Sequence, residues 1–447
     1  MARRSALLLI CMLGCTDNAP SEPDPMEPTT GKLDAGRRDA GVEARDARTS
    51  VRDAKVEPDD DPEPQEGRDA SSADATAEED ASIDPPRDAA RPPGNGTDDD
   101  IYGTRVPRAE SWWVEDGRIH RGRDEIRLYG LNWFGLETES LALFGPSESK
   151  RSVADFLAQV KSLGFNALRV PLSPESIRPG NASASWANRG DLDTGREHFD
   201  ELAKAAKDAG LYMLWDVHTC AAKVGFMKKS PIDPACTNYG KQGWLADLDT
   251  LAKHAEQYAP YVLGIDLFNE PYGLTWGDWK ALAEEGGERV LRANPHLLLF
   301  VEGVGSEGYS GDAVFWGENL TEAKNQPPRL PASRLVYSPH VYGPSVFAQP
   351  YFSEAGYPGN MPAIWTRHWG HLFEGEAPVI LGEFGGKYVD ADKVWQDALV
   401  KYLNERGANG FFYWCLNPNS GDTAGLLQDD WKTVNQGKLS LLKMLMK

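Results

Sequence analysis

A (β/α)8 TIM barrel, preceded by a disordered acidic linker, is the fold class that the sequence predicts. Two observations carry the barrel. Beyond residue 101, short apolar runs alternate with longer amphipathic ones, the pattern of a parallel sheet wrapped by helices. Eight such units fit within residues 101–447, a length suited to one barrel domain. A doubly wound sheet with one extra strand is the alternative left open.

The strand candidates, in order, are residues 127–133, 167–172, 212–217, 263–268, 297–301, 335–338, 378–381 and 410–414. They are short and nearly continuously apolar, as strands buried on both faces are. Helical periodicity fills residues 153–163, 199–209, 245–258, 279–293 and 394–405, and more weakly 361–373. Ahead of the barrel, residues 112–120 and 125–128 flank Gly122 and form a small hairpin that would plug the bottom.

Residues 16–100 have a different composition. Asp, Ala, Arg, Pro, Glu, Ser and Gly dominate, and no aromatic residue occurs. Such a stretch cannot bury enough apolar surface to offset the entropy of ordering. It carries 25 acidic and 10 basic residues, so most of the net charge of -21 belongs to this linker. The charge reads as a solvated spacer, and an acidic balance repels nucleic acid.

Residues 1–15 read as an export signal: Arg3 and Arg4 precede an apolar run, residues 6–13, too short to span a bilayer. Gly14-Cys15 resembles the lipobox of bacterial lipoproteins, although Met12 stands where that motif usually has Leu. Ordinary secretion, with Cys15 incidental, is the alternative. Export permits a disulfide, and Cys220 with Cys236 would close a short loop, against two unpaired thiols. Cys415 lies in an apolar run and reads as a buried small hydrophobe.

Barrel enzymes place their chemistry at the C-terminal ends of the strands. The polar residues expected there are Asn132, Arg169, His218, Asn269, Glu270, Glu302, His340, Tyr342 and Glu383, with Trp133 and Trp414. Glu270 and Glu383 end the fourth and seventh strands. Two carboxyl groups flanking one bond, one protonated and one ionised, supply what glycoside hydrolysis needs. A lone Glu at a strand end is usually a cap or an ion pair; two among His, Tyr, Trp and Arg are not.

The run Asp266-Leu267-Phe268-Asn269-Glu270-Pro271 resembles the signature of glycoside hydrolase family 5, the cellulase family. Similar matches are Gly130-Leu131-Asn132-Trp133-Phe134-Gly135, Leu168-Arg169-Val170-Pro171, Val301-Glu302-Gly303-Val304, Tyr337-Ser338-Pro339-His340-Val341-Tyr342, Leu381-Gly382-Glu383-Phe384-Gly385 and Asn417-Pro418-Asn419-Ser420-Gly421-Asp422-Thr423. They run in the family's order from about Trp112 onward and most resemble subfamily 1, the endo-β-1,4-glucanases.

The resemblance implies a retaining endo-β-1,4-glucanase without metal or cofactor, acting on a β-glucan polysaccharide. Glu270 would be acid/base and Glu383 nucleophile. Asn269 would bind the sugar 2-OH, Arg169 and Tyr342 would orient Glu383, and His218 and His340 would contact sugar hydroxyls. Trp414 would floor the reacting sugar, and Trp133 and Trp316 would be platforms on either side of the cleavage point. Trp276 is a weaker platform, and Leu416 stands where close relatives have a second Trp. Glu302 is read as supporting architecture, and His120, His198 and His254 as surface residues. Within the family, a mannanase or xyloglucanase is the alternative; outside it, a surface glycan-binding lipoprotein that has lost catalysis, which the intact Asn269, Glu270 and Glu383 oppose. The chain is expected to be an exported monomer, touching membrane only through lipid on Cys15.

Overall fold

The computed structural model describes residues 97–99, 105–107, 111–222, 230–233, 236, 239–305 and 313–447. The export signal, Cys15 and nearly all of the acidic linker lie outside these residues. A short antiparallel ribbon, β1 (Thr97–Asp99) and β2 (Arg105–Pro107), precedes the catalytic domain. Next come β3 (Trp112–Glu115), β4 (Arg118–Arg121) and β5 (Asp124–Glu125), one antiparallel three-stranded sheet.

The barrel strands are β6 (Leu128–Asn132), β7 (Ala167–Leu172), β8 (Tyr212–Val217), β9 (Val262–Asp266), β10 (Leu298–Val301) and β11 (Leu335–Tyr337). Then follow β12 (His340–Tyr342), β13 (Glu383–Gly385) and β14 (Gly410–Tyr413). One parallel sheet has the order β11-β10-β9-β8-β7-β6-β14. Residues 379–381 close it, through single bridges Tyr337↔Val379 and Leu381↔Phe411. The barrel expected from the sequence is present.

The seventh strand departs from expectation. Residues 378–381 form no continuous ladder; the longer pairing lies farther along, where His340, Val341 and Tyr342 meet Glu383, Phe384 and Gly385. Pro339 and Pro378 account for the interruption, because each lacks a ladder N–H.

The helices are α1 (Pro146–Ser149), α2 (Val153–Ser162), α3 (Pro174–Ile177), α4 (Gly195–Ala209), α5 (Gly240–Ala255), α6 (Trp276–Ala293), α7 (Met361–His368), α8 (Asp390–Arg406) and α9 (Gln436–Lys443). The starts of α2, α3, α4, α6 and α9 carry side-chain caps that apolar periodicity alone does not reveal. Helix α4 begins four residues before the expected 199 because Thr194 accepts from Glu197 N–H in a capping box. Thr275 with Asp278 does the same for α6.

Two apolar layers result. Between sheet and helices lie residues such as Leu168, Trp215, Ile265 and Leu299, with Phe199, Trp244 and Trp279. Inside the barrel, Leu128, Leu214, Leu263, Leu298, Phe300, Val336, Ile380 and Phe412 pack with Trp112, Val114 and Ile119 of the β3–β4 hairpin. The hairpin therefore stoppers the interior, leaving the opposite end for polar groups.

His198 and His254 correct the surface reading. Both are buried, and His254 lies against Trp215 while hydrogen-bonding Asp200 at 2.7 Å. An amphipathic helix face that carries His among apolar residues turns the ring inward. Cys220 and Cys236 form a disulfide, and Cys415 is buried and unbridged.

Candidate active site

Each polar residue expected at the barrel mouth comes from a strand end. Asn132 ends β6, Arg169 lies on β7, and His218 follows β8. Asn269 and Glu270 follow β9, Glu302 follows β10, and His340 and Tyr342 lie on β12. Glu383 opens β13, and Trp414 follows β14.

Arg169 is the hub and is fully buried. Its Nη1 donates to Glu383 Oε1 at 2.6 Å and Asn132 Oδ1 at 3.2 Å. Its Nη2 donates to Asn269 Oδ1 at 3.0 Å and Glu302 Oε1 at 3.2 Å. Its Nε reaches Asp266 Oδ2 at 3.0 Å, and Asp216 Oδ2 lies 3.1 Å from Nη2. Four carboxyl groups thus share one guanidinium in a site closed to water. The planar fork suits this, since it offers donors in several directions at once.

One oxygen each of Glu270 and Glu383 lies within 4.8 Å of the other and of a His340 nitrogen. The Tyr342 phenol donates to Glu383 Oε2, and His340 Nδ1 lies 3.1 Å from Glu270 Oε1. Burial, followed by the adjacent Glu383 charge, holds the Glu270 carboxyl well above the ordinary range. Burial raises Glu383 as well, but Arg169 and the Tyr342 hydrogen bond pull it back. Glu383 therefore ionises first, and its charge keeps the proton on Glu270. Burial pushes His218 down to about 4 and His340 well below its ordinary value, so both rings are neutral near pH 7.

Among the described residues, two groups bring potential metal-ligand atoms within 4.8 Å of one another: Asp266–Glu302–His340 and Glu270–His340–Glu383. Arg169 already supplies a cation to three of those carboxylates.

The aromatic residues divide into part-exposed and buried ones. Trp414 is part-exposed, stacks on Phe134 with centroids 5.5 Å apart, and donates Nε1–H to Ser420 Oγ at 3.2 Å. On its neighbouring side the His218 ring lies 6.0 Å away, nearly parallel. Trp316 is part-exposed and stacks on Tyr272 at 4.0 Å, next to Gly317, which packs beside Glu270. Trp133 corrects the platform reading: it is fully buried, packs on Phe156, and donates its N–H to Phe144 O at 3.0 Å. An indole with no free face cannot receive a sugar. Trp276 and Leu416 are buried too.

Several participants escape sequence reading. Asp216 and Asp266 sit beneath the site, pushed up to about 7 by burial despite Arg169. Asp216 Oδ2 also lies 2.6 Å from His218 Nδ1, which orients that ring. The available signal was an Asp inside each of two otherwise apolar strands. Trp186 is 45% exposed and stacks on Phe144, which meets Phe134 edge-on, so aromatic rings lead from Trp414 to the surface.

The sequence is similar to proteins of known activity. It is 42% identical over 338 residues to the major extracellular endoglucanase of Xanthomonas campestris pv. campestris, covering 72% of this chain and 68% of that protein. It is 40% identical to an endoglucanase of Paenibacillus polymyxa, covering 72% and 83%. The fold resembles a cellotetraose complex of an endocellulase from Pyrococcus horikoshii, with a TM-score of 0.69 and 36% identity, covering 77% of this chain and all of that one. The profile of the cellulases, glycosyl hydrolase family 5, matches residues 123–420. With that match spanning most of the barrel and its mouth, the chain belongs to glycosyl hydrolase family 5.

Proposed function

We propose that this glycoside hydrolase is a retaining endo-β-1,4-glucanase, with Glu270 as acid/base and Glu383 as nucleophile. The observation that carries the reading is the approach of the two carboxyl groups within 4.8 Å. Retention needs a separation of about 5 Å, whereas inversion leaves room for a water molecule at ~6.5–9.5 Å. The endoglucanase relatives support a β-1,4-glucan as the substrate.

In the first step Glu383 attacks the anomeric carbon while Glu270 gives its proton to the departing glycosidic oxygen. Loss of the Glu383 charge on forming the ester lowers the Glu270 pKa, so Glu270 becomes the base that deprotonates water in the second step. Asn269, held by Arg169 Nη2, would meet the 2-OH, and the part-exposed Trp414 would floor the reacting sugar. No step requires a metal.

Azide separates the two roles. Glu383→Ala, given azide and an aryl cellobioside, should regain turnover and release an α-glycosyl azide. An α-azide from Glu270→Ala instead would reverse the assignment.

The extracellular relative supports export. On the finer point, Gly14-Cys15 supports a lipid anchor, with residues 16–100 as a tether of roughly 50 Å root-mean-square span for a barrel acting as a monomer. Cys15→Ala should then deplete the enzyme from membranes; a fully soluble wild-type protein would refute the anchor.

A further inference from the structure

Glu302 is fully buried, and both of its carboxylate oxygens are engaged. Oε2 accepts the main-chain N–H of Glu270 at 2.8 Å. Oε1 accepts from Arg169 Nη2 at 3.2 Å, and the same guanidinium gives Nη1 to Glu383. Of the four carboxyl groups around Arg169, Glu302 is the one that also bonds the backbone of the residue opposite the nucleophile. That backbone needs holding, because Glu270 has φ 47°, in the left-handed region that side chains disfavour.

The surroundings hold Glu302 in turn. Trp279 of α6 donates its indole N–H to Glu302 O at 2.9 Å. Gly317 packs so closely that a Cβ there would lie 2.5 Å from Glu302 Oε2 and 3.4 Å from Glu270 Cγ. The carboxylate has one position available.

We propose that Glu302 is a positioning residue that sets the spacing of the reacting pair, tying the main chain of Glu270 to the guanidinium that holds Glu383. This rests on the roles given above to Glu270 and Glu383. Glu302 itself touches no substrate; it acts through the two groups that do. Burial and the Asp266 charge raise the Glu302 pKa against Arg169, and in this geometry both of its oxygens accept, Oε1 from Arg169 and Oε2 from the Glu270 N–H. An amide of the same shape must turn its NH2 toward either Arg169 or the Glu270 N–H, donor against donor, and one link fails.

The test is Glu302→Gln, compared with wild type on cellotetraose and on aryl cellobiosides with good and poor leaving groups. We expect kcat on cellotetraose to fall about tenfold to a hundredfold, with KM within about threefold. In kcat/KM the loss should be larger for phenyl than for dinitrophenyl cellobioside, since a displaced acid matters most when the leaving group needs its proton. Thermal melting and cellotetraose binding establish that the variant is folded. Gly317→Ala, which crowds the carboxylate without removing it, should show the same leaving-group dependence and decides the matter if Glu302→Gln does not fold. Wild-type kcat, or an equal loss on both aryl substrates, would overturn the proposal. Glu270→Ala in the same assays keeps the two readings apart: if it shows no leaving-group dependence, the acid assignment fails rather than the link.

Discussion

Arg169 Nη1 stands 2.6 Å from Glu383 Oε1, while Tyr342 donates its phenol hydrogen to the other oxygen. Both contacts favour the ionised form, against burial that disfavours it. Tyr342→Phe removes one donor and should raise the Glu383 pKa. The nucleophile role proposed for Glu383 needs its ionised form, so the acid limb of kcat/KM should move to higher pH; an unmoved limb would contradict the role. Arg169→Met leaves several buried carboxylates without their cation and should cost about 3–5 kcal/mol in urea unfolding, besides nearly abolishing turnover.

His198 should make the fold sensitive to acid. The ring on α4 is 1% exposed, neither nitrogen has a hydrogen-bond partner among the described residues, and burial pushes its pKa down to about 4, assisted by Arg189 and opposed by Glu197. In the unfolded chain the ring titrates near ~6.5. Between those values the unfolded state takes up a proton that the folded state refuses, so this residue's contribution to stability falls as pH drops from 6.5 to 4. Above that window both states are neutral at this ring and it contributes no pH dependence. His198→Leu should flatten the melting-temperature curve across the window. His218, also pushed down to about 4, retains its own share, while Asp216 and Asp266, raised to about 7, act in the opposite sense.

Trp186 should matter only for long chains. Its exposed indole is backed by Phe144 at 5.6 Å and reaches Trp414 through Phe134. Trp186→Ala should raise KM for cellohexaose roughly threefold to tenfold, the worth of about 1 kcal/mol of aromatic contact, and leave aryl cellobioside kinetics unchanged. Equal effects on both substrates would place Trp186 in the fold rather than on the path of the glucan.

Strands at residues 167–172 and 212–217 were legible to the residue, because short runs, apolar but for Arg169 and Asp216, ended at Ser173 and His218. The Glu270–Glu383 pair was legible for a related reason: strand ends in a barrel converge, so order along the chain places side chains together. Trp133 was not. A Trp at a strand end looks the same whether its indole turns toward the mouth or behind the strand, and only packing on Phe156 settles it. Asp216 and Asp266 stood out as acids inside apolar strands, but their partner did not, since what makes their burial tolerable is Arg169, far away in sequence.

The β13 strand that carries Glu383 is the least stitched part of the barrel wall. It meets β12 over three residue pairs, and the segment before it joins its neighbours through single bridges. A barrel with such a seam needs a fastener, and Arg169 reaches across the lumen from β7 to supply one. The ion pair to the proposed nucleophile therefore also links two strands of the wall. Removing Arg169 would then take away a cross-link between β7 and β13 as well as a partner of Glu383.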